Sequence, residues 1–367
     1  MLITKVEYPD ASVHQQRLAI TCDATGEVPQ QQLYQPEIAH LFHTYIKKLA
    51  PWYDLNDERL TFSNTVAAGA LHNPLLFSAA IAFAAIYSHK RSSFPRHFAD
   101  SYHRKCIRLL IDLKEDDDEV ISGNALASTC LLRQYELLSE DRDPNRHLYG
   151  ASALVPPVPS LINHDLIAAS FWNYLREDIT YSLIQECPLK LQLPRNRFTS
   201  VNLLDDEAAN LMTLLLGRTI NAFFGRINDD TGVEIADWHA RYSKEPFCNI
   251  DGGAFPVIKM MKDCHVAALH YYHVAQCMIT PIQRTSSATT LCGLAVHAQS
   301  DAVTVNAYGP ICFTAQWLTF SQQRDTIINF LLESQQQTAW PVKPIIDKLQ
   351  ARWHGFDTFE QDQNSSY

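Results

Sequence analysis

Residues 264–277, CHVAALHYYHVAQC, set His265, His270 and His273 between Cys264 and Cys277. Imidazole and thiolate are the usual ligands of zinc, so the stretch has to be tested first as a metal site. On a helix His270, His273 and Cys277 fall within about 60° of one another, but Cys264 lies about 140° from Cys277, so the two thiols do not converge. His270 and Cys277 are also separated by about 10 Å along the axis, too far to share one tetrahedral ion. The stretch is therefore read as a core-facing helix, with no metal and no cofactor expected.

Other chemistry-bearing groups fail on spacing. Asp116, Asp117, Asp118 and Glu119, with Asn228, Asp229 and Glu234, sit where a terpene synthase would hold magnesium. Val120 and Gly232, however, occupy positions that need a carboxylate and a hydroxyl, which leaves a helix start and a polar turn. Ser152 in LYGASALV lacks the second glycine of a nucleophile elbow. His103 and Cys106, at i and i+3, read as helix neighbours rather than a reactive pair. FWNYLREDITYSL is more suggestive: Trp172, Tyr174, Arg176 and Tyr181 mix aromatic faces with charge as a small-molecule pocket does. The same pattern also describes helix packing around a half-buried ion pair. These four residues, with His270 and His273, are the candidate ligand-binding residues.

Composition bounds the rest. The chain has 367 residues, 46% hydrophobic and 19% charged, enough for a large core. Its 12 glycines form no phosphate-cradling loop, which argues against a nucleotide-binding α/β fold. A formal net charge of −10 disfavours nucleic-acid phosphates, and the basic group Lys90, Arg91, Arg96, Arg104, Lys105 and Arg108 reads as a solvated helix surface. Nine cysteines with no CxxC indicate free thiols in a reducing compartment. The first residues carry no apolar leader and the longest apolar run, Leu75 to Ser88, is too short to span a bilayer, so an intracellular protein off the membrane is expected.

Apolar residues recur at helical spacing almost throughout, which predicts an all-α fold: one large domain of packed antiparallel helices. Helices are expected from Pro36 to about Leu49, from Pro74 through the Ala-rich run, from Pro95 to Leu113, and from the acidic run to Leu138. After the breaker LVPPVPS, further helices are expected at roughly 164–186, 204–226, 255–279, 286–304, 310–337 and 341–353. Residues 1–35 form an N-terminal extension, 36–356 the helical domain and 357–367 a polar tail.

Several blocks in order carry a resemblance. KDCHVAALHYYHVAQCMI is similar to the Asp-Cys-His-Val helix in the ARCA-like branch of the fungal-specific transcription factor domain, the regulatory region of zinc binuclear-cluster regulators. PWYDLNDERLTFSNTVAAGALHNPLLFSAAIAFAA resembles that family's opening block, and SYHRKCIRLLIDL its Tyr-His-x-x-Cys helix. GNALASTCLLRQYELLSED with HLYGASALV, ASFWNYLREDITYSLIQECPLKL and LLESQQQTAWPVKPIIDKLQARWHGF continue the match, over roughly residues 38–356. The chain departs from the family at its start. Only Cys22 precedes Cys106, so the six thiolates of a two-zinc cluster are missing, and with them the usual route to DNA.

The resemblance implies a nuclear transcription regulator without a zinc-cluster module in these residues, either a cluster-less form acting through a DNA-binding partner or a chain whose zinc module lies upstream of this start. Its partners would be a DNA-binding transcription factor or the transcription machinery, with a small-molecule metabolite as a further ligand and a biosynthetic gene cluster as target. The family supplies no catalytic residues. The alternative is a cytoplasmic, metal-independent isomerase or cyclase of secondary metabolism built on the same domain.

Overall fold

In the computed structural model the described residues are 28–139, 145–151, 154–194, 202–227 and 230–364, with the side chains of 356–364 left aside. Cys22, Ser152, Asn228 and Asp229 lie outside them, as does most of the N-terminal extension. Helix accounts for 72% of the residues and strand for 2%, so the fold is all-α.

α1 (Pro36–Thr44) leads through a π-helical turn, Tyr45–Leu49, and a 3-10 turn, Ala50–Trp52, into the core. α2 (Pro74–Arg91) starts where Pro74 fixes the first turn and the Asn73 Oδ1 accepts from the amides of Leu75 and Leu76 at 2.9 and 3.0 Å. It is apolar on every side, and Leu75 through Tyr87 are buried without interruption. Such a helix must be covered all round. α3 (Arg96–Ile111), α4 (Asn124–Ser139) and α1 do this.

The acidic run does not open α4 as its charge pattern predicts. It makes a separate turn, Asp118–Ile121, whose Glu119 accepts from the Asn73 side-chain amide at 2.8 Å. Gly123 then breaks the chain at φ +86°, where a Cβ would also lie 2.8 Å from the Ile167 side chain.

α5 (Leu166–Gln185) packs on α4, on α6 (Asp205–Gly225) and on a later helix described below. α7 (Thr231–Tyr242) occupies the stretch read from sequence as a polar turn. Its Glu234 pairs with Arg218 of α6 at 2.9 Å, an anchor from the preceding helix that local pattern does not contain. Between α7 and α8 (Asp263–Ile279) lies a hairpin, β1 (Cys248–Ile250) antiparallel to β2 (Val257–Lys259), with Asn249 opposite Ile258. The sequence reading starts a helix at 255. The Gly252–Gly253 turn and Pro256 delay it to Asp263, and three-residue strands are too short to show alternation.

α9 (Arg284–Val296), α10 (Asp301–Thr314), α11 (Ser321–Thr338) and α12 (Lys343–Asn364) complete the chain. The two long helices expected at 286–304 and 310–337 are thus three, and Pro310 sits inside α10 instead of opening a helix. One continuous core joins Ile38 of α1 to Trp353 of α12. Among the described residues no single helix is long and apolar enough to cross a membrane.

α10 lies against α5 through Gly309, where an added Cβ would stand 2.9 Å from the Thr180 Cα. Gly309→Ala therefore forces two backbones apart, at about 1–3 kcal/mol. That outweighs the roughly 1 kcal/mol that alanine gains over glycine within a helix. Urea unfolding should show a lower midpoint for the variant; a higher one would mean that the close approach does not constrain the fold.

Candidate functional site

α5 carries four of the six sequence candidates, and the helix parts them. At about 100° per residue Asn173, Arg176, Glu177 and Thr180 share one face, while Tyr174 and Tyr181 point away from it. The first group lines a cavity closed by Trp52 and Tyr53 from the 3-10 turn, Gln134 of α4, Val305 and Asn306 of α10, and Trp340. Its volume is about 20 Å³, room for one or two waters or the tip of a small polar group.

Arg176 is 3% exposed. Its Nη2 donates to the Tyr53 carbonyl at 3.2 Å and to the Asn173 Oδ1 at 2.7 Å. Asn173 is held in turn by donating to the carbonyls of Tyr53 and Ala169 at 3.0 and 2.9 Å. Nε and Nη1 of Arg176 have no acceptor among the described residues. Burial lowers the guanidinium pKa from its ordinary value, opposed by the Tyr271 hydroxyl and by the Asp57 and Glu177 carboxylates. Glu177 accepts from the Gln134 side-chain amide and stands 4.0 Å from the Arg133 Nε. Arg133 also pairs with Glu136 at 3.3 Å, and Glu136 reaches Arg146 at 3.2 Å. A ladder of alternating charge thus runs from α4 to the cavity wall.

The other candidates lie elsewhere. Trp172 is buried edge-on to Phe171, with ring centroids 5.1 Å apart, and does not line the cavity. Tyr174 donates to the Leu148 carbonyl at 2.9 Å, a structural bond across to the Arg146–Ala151 turn. Tyr181 faces outward beside Tyr149, hydroxyls 3.4 Å apart, with the Lys190 ammonium over both rings. His270 and His273 are on α8, away from the cavity lining. Their neighbour Tyr271 is the α8 residue that interacts with Arg176, and its hydroxyl is buried without a partner among the described residues.

The thiols and histidines are arranged for packing. Burial pushes Cys264, Cys277 and Cys312 up to about 12 and Cys106, Cys130 and Cys292 higher, which suits inert core residues. His103 does not engage Cys106: its Nε2 lies 3.0 Å from the His147 Nε2 and its ring stacks on Tyr135. Among the described residues no three His, Cys, Asp or Glu side chains are grouped to hold a metal ion. In the basic group Arg91 is tied to the Tyr87 hydroxyl and the Gln336 carbonyl, and Arg96 to Asp100.

Sequence alone isolates Arg176 and places Asn173 and Glu177 on the same helix. It misses Trp52, Gln134, Val305 and Trp340, which reach the cavity from up to 164 residues away in the chain. Only PWYD, two aromatic residues at a proline-led turn, offered a local signal.

Residues 40–181 match a family model described as the fungal specific transcription factor domain. No curated protein and no solved structure matches the chain. The matched stretch runs from within α1 through most of α5 and holds every cavity residue except Val305, Asn306 and Trp340.

His270 gives the fold a pH dependence. Burial, then the charge of His273, lowers its pKa to about 3. Between that value and the unfolded value near 6.5 the unfolded chain binds more protons, so stability is lost as pH falls. Asp54 and Asp178, raised by burial to about 6, act in the opposite sense, stabilising the fold as pH drops from 6 toward 4. A His270→Leu comparison isolates the histidine: between pH 6.5 and 5 the wild type should lose about 2 kcal/mol more than the variant in urea unfolding. Equal losses would contradict a neutral, buried His270.

Proposed function

Because residues 40–181 match the model of the fungal specific transcription factor domain, we propose that this chain regulates transcription through protein contacts made by its helical scaffold. The family match is the observation that carries this reading. The 367 residues contain no run of six cysteines able to hold a two-zinc cluster, so contact with DNA comes from a partner or from a segment outside these residues. The setting is the nucleus, the partners are a DNA-binding factor or the transcription machinery, and the targets are the genes of a biosynthetic cluster.

The rival reading, an isomerase or cyclase, requires a cavity that encloses a substrate and aims an acid or base at it. The cavity at Arg176, about 20 Å³, takes in no more than the tip of a small polar group. A larger one, about 170 Å³, lies between Leu189 and Ile227, and its buried cation, Arg218, is already paired with Glu234. Neither arrangement favours catalysis over binding.

Deleting the gene tests the proposal. Transcripts of the neighbouring genes, measured where they are normally expressed, should fall together. Unchanged transcripts alongside an altered metabolite profile would overturn the regulatory reading.

A further inference from the structure

The cavity at Arg176 carries an inference about ligand chemistry that goes beyond the regulatory reading and does not depend on it. A guanidinium has five N–H groups, and Arg176 places two of them, both on Nη2, on protein oxygens. Nε and Nη1 hold the other three, buried and without an acceptor among the described residues. The Asp57 and Glu177 carboxylates favour the charged guanidinium. Trp52, also on the cavity wall, has a buried Nε1–H with no partner among the described residues. Among the fully buried lining atoms the Gln134 Oε1 is an acceptor without a partner among the described residues, and Thr180, Glu177 and Asn306 bring further acceptor oxygens to the wall. The Glu177 carboxylate is engaged by Gln134 and neighbours Arg133.

The three idle N–H groups of Arg176, with the Trp52 Nε1–H, favour an acceptor-only guest on that side of the cavity. A water would accept two hydrogen bonds but bring two donors of its own, whereas a carboxylate brings two acceptor oxygens and a charge opposite to that of Arg176. Of the lining residues only Glu177 and Asn306 are partly exposed, so the mouth opens between α5 and α10. We propose that this cavity binds a carboxylate group on the free edges of Arg176, either as a formate-sized anion or as the tip of a longer acid. The small volume admits that group alone and leaves any tail outside the mouth.

The purified 367-residue chain tests this by thermal unfolding in rising sodium formate and, separately, sodium butyrate. The wild-type midpoint should rise saturably by about 2 °C. A response to formate alone indicates a free small anion, and a response to butyrate as well indicates the tip of a longer acid. Val305→Phe fills the cavity and leaves Arg176 in place. With its helix content intact by circular dichroism, that variant should show only the linear response of any salt. The carbon line of ¹³C-formate gives a second readout, broadened by the wild type and not by Val305→Phe. If neither acid saturates and the line stays sharp, the cavity holds only water and the proposal fails.

Discussion

The structure depends on covering α2. From Leu75 to Tyr87 this helix presents no polar stripe, and each of its large side chains contributes about 1.5–3 kcal/mol only when removed from water. Three helices therefore have to close around it. Their positions are fixed from the outside by a few polar contacts: Asn73 to Glu119 at its start, and the Tyr87 hydroxyl donating to the Gln337 carbonyl at its end. The second contact ties the first third of the chain to the last, which is how one core comes to include both.

The Arg176 cavity follows from that arrangement. Packing α4 on α2 turns Arg133 and Gln134 toward α5, and the turn before α2 delivers Trp52 and Tyr53 to the same place, where Trp52 meets Phe83 edge-on. A buried arginine with most of its donors idle is costly in a protein interior. The scaffold holds it with the Tyr53 carbonyl and Asn173, and the proposed carboxylate would offset that cost. An apolar helix that fixes the fold thus also sets out the polar groups that line the Arg176 cavity.

How much of this was legible in the sequence varied by distance along the chain. The long helices, their proline starts and the core role of residues 264–277 follow from local period and local breakers. The Thr231–Tyr242 helix was not legible, because its anchor is Arg218 on another element, and neither was the break at 297–300, which no proline or run of glycine marks. The same division applies to the site. Arg176 stood out as a charge among aromatic residues, but Trp172, Tyr174 and Tyr181 shared its local signal and were dispersed by the helix turn. Trp340 and Val305 join Arg176 only through packing. His270 and His273, chemically conspicuous, are neutral packing groups on α8, in keeping with a helix that faces the core.

The match of residues 40–181 to the fungal specific transcription factor domain is what the proposed regulatory role rests on. The most direct measurement tethers these 367 residues to an unrelated DNA-binding domain and reads transcription from a promoter bearing its sites. A protein that regulates through contacts made by its helical domain should change reporter output relative to the DNA-binding domain alone. An unchanged output, with the fusion folded and present at the promoter, would contradict the account.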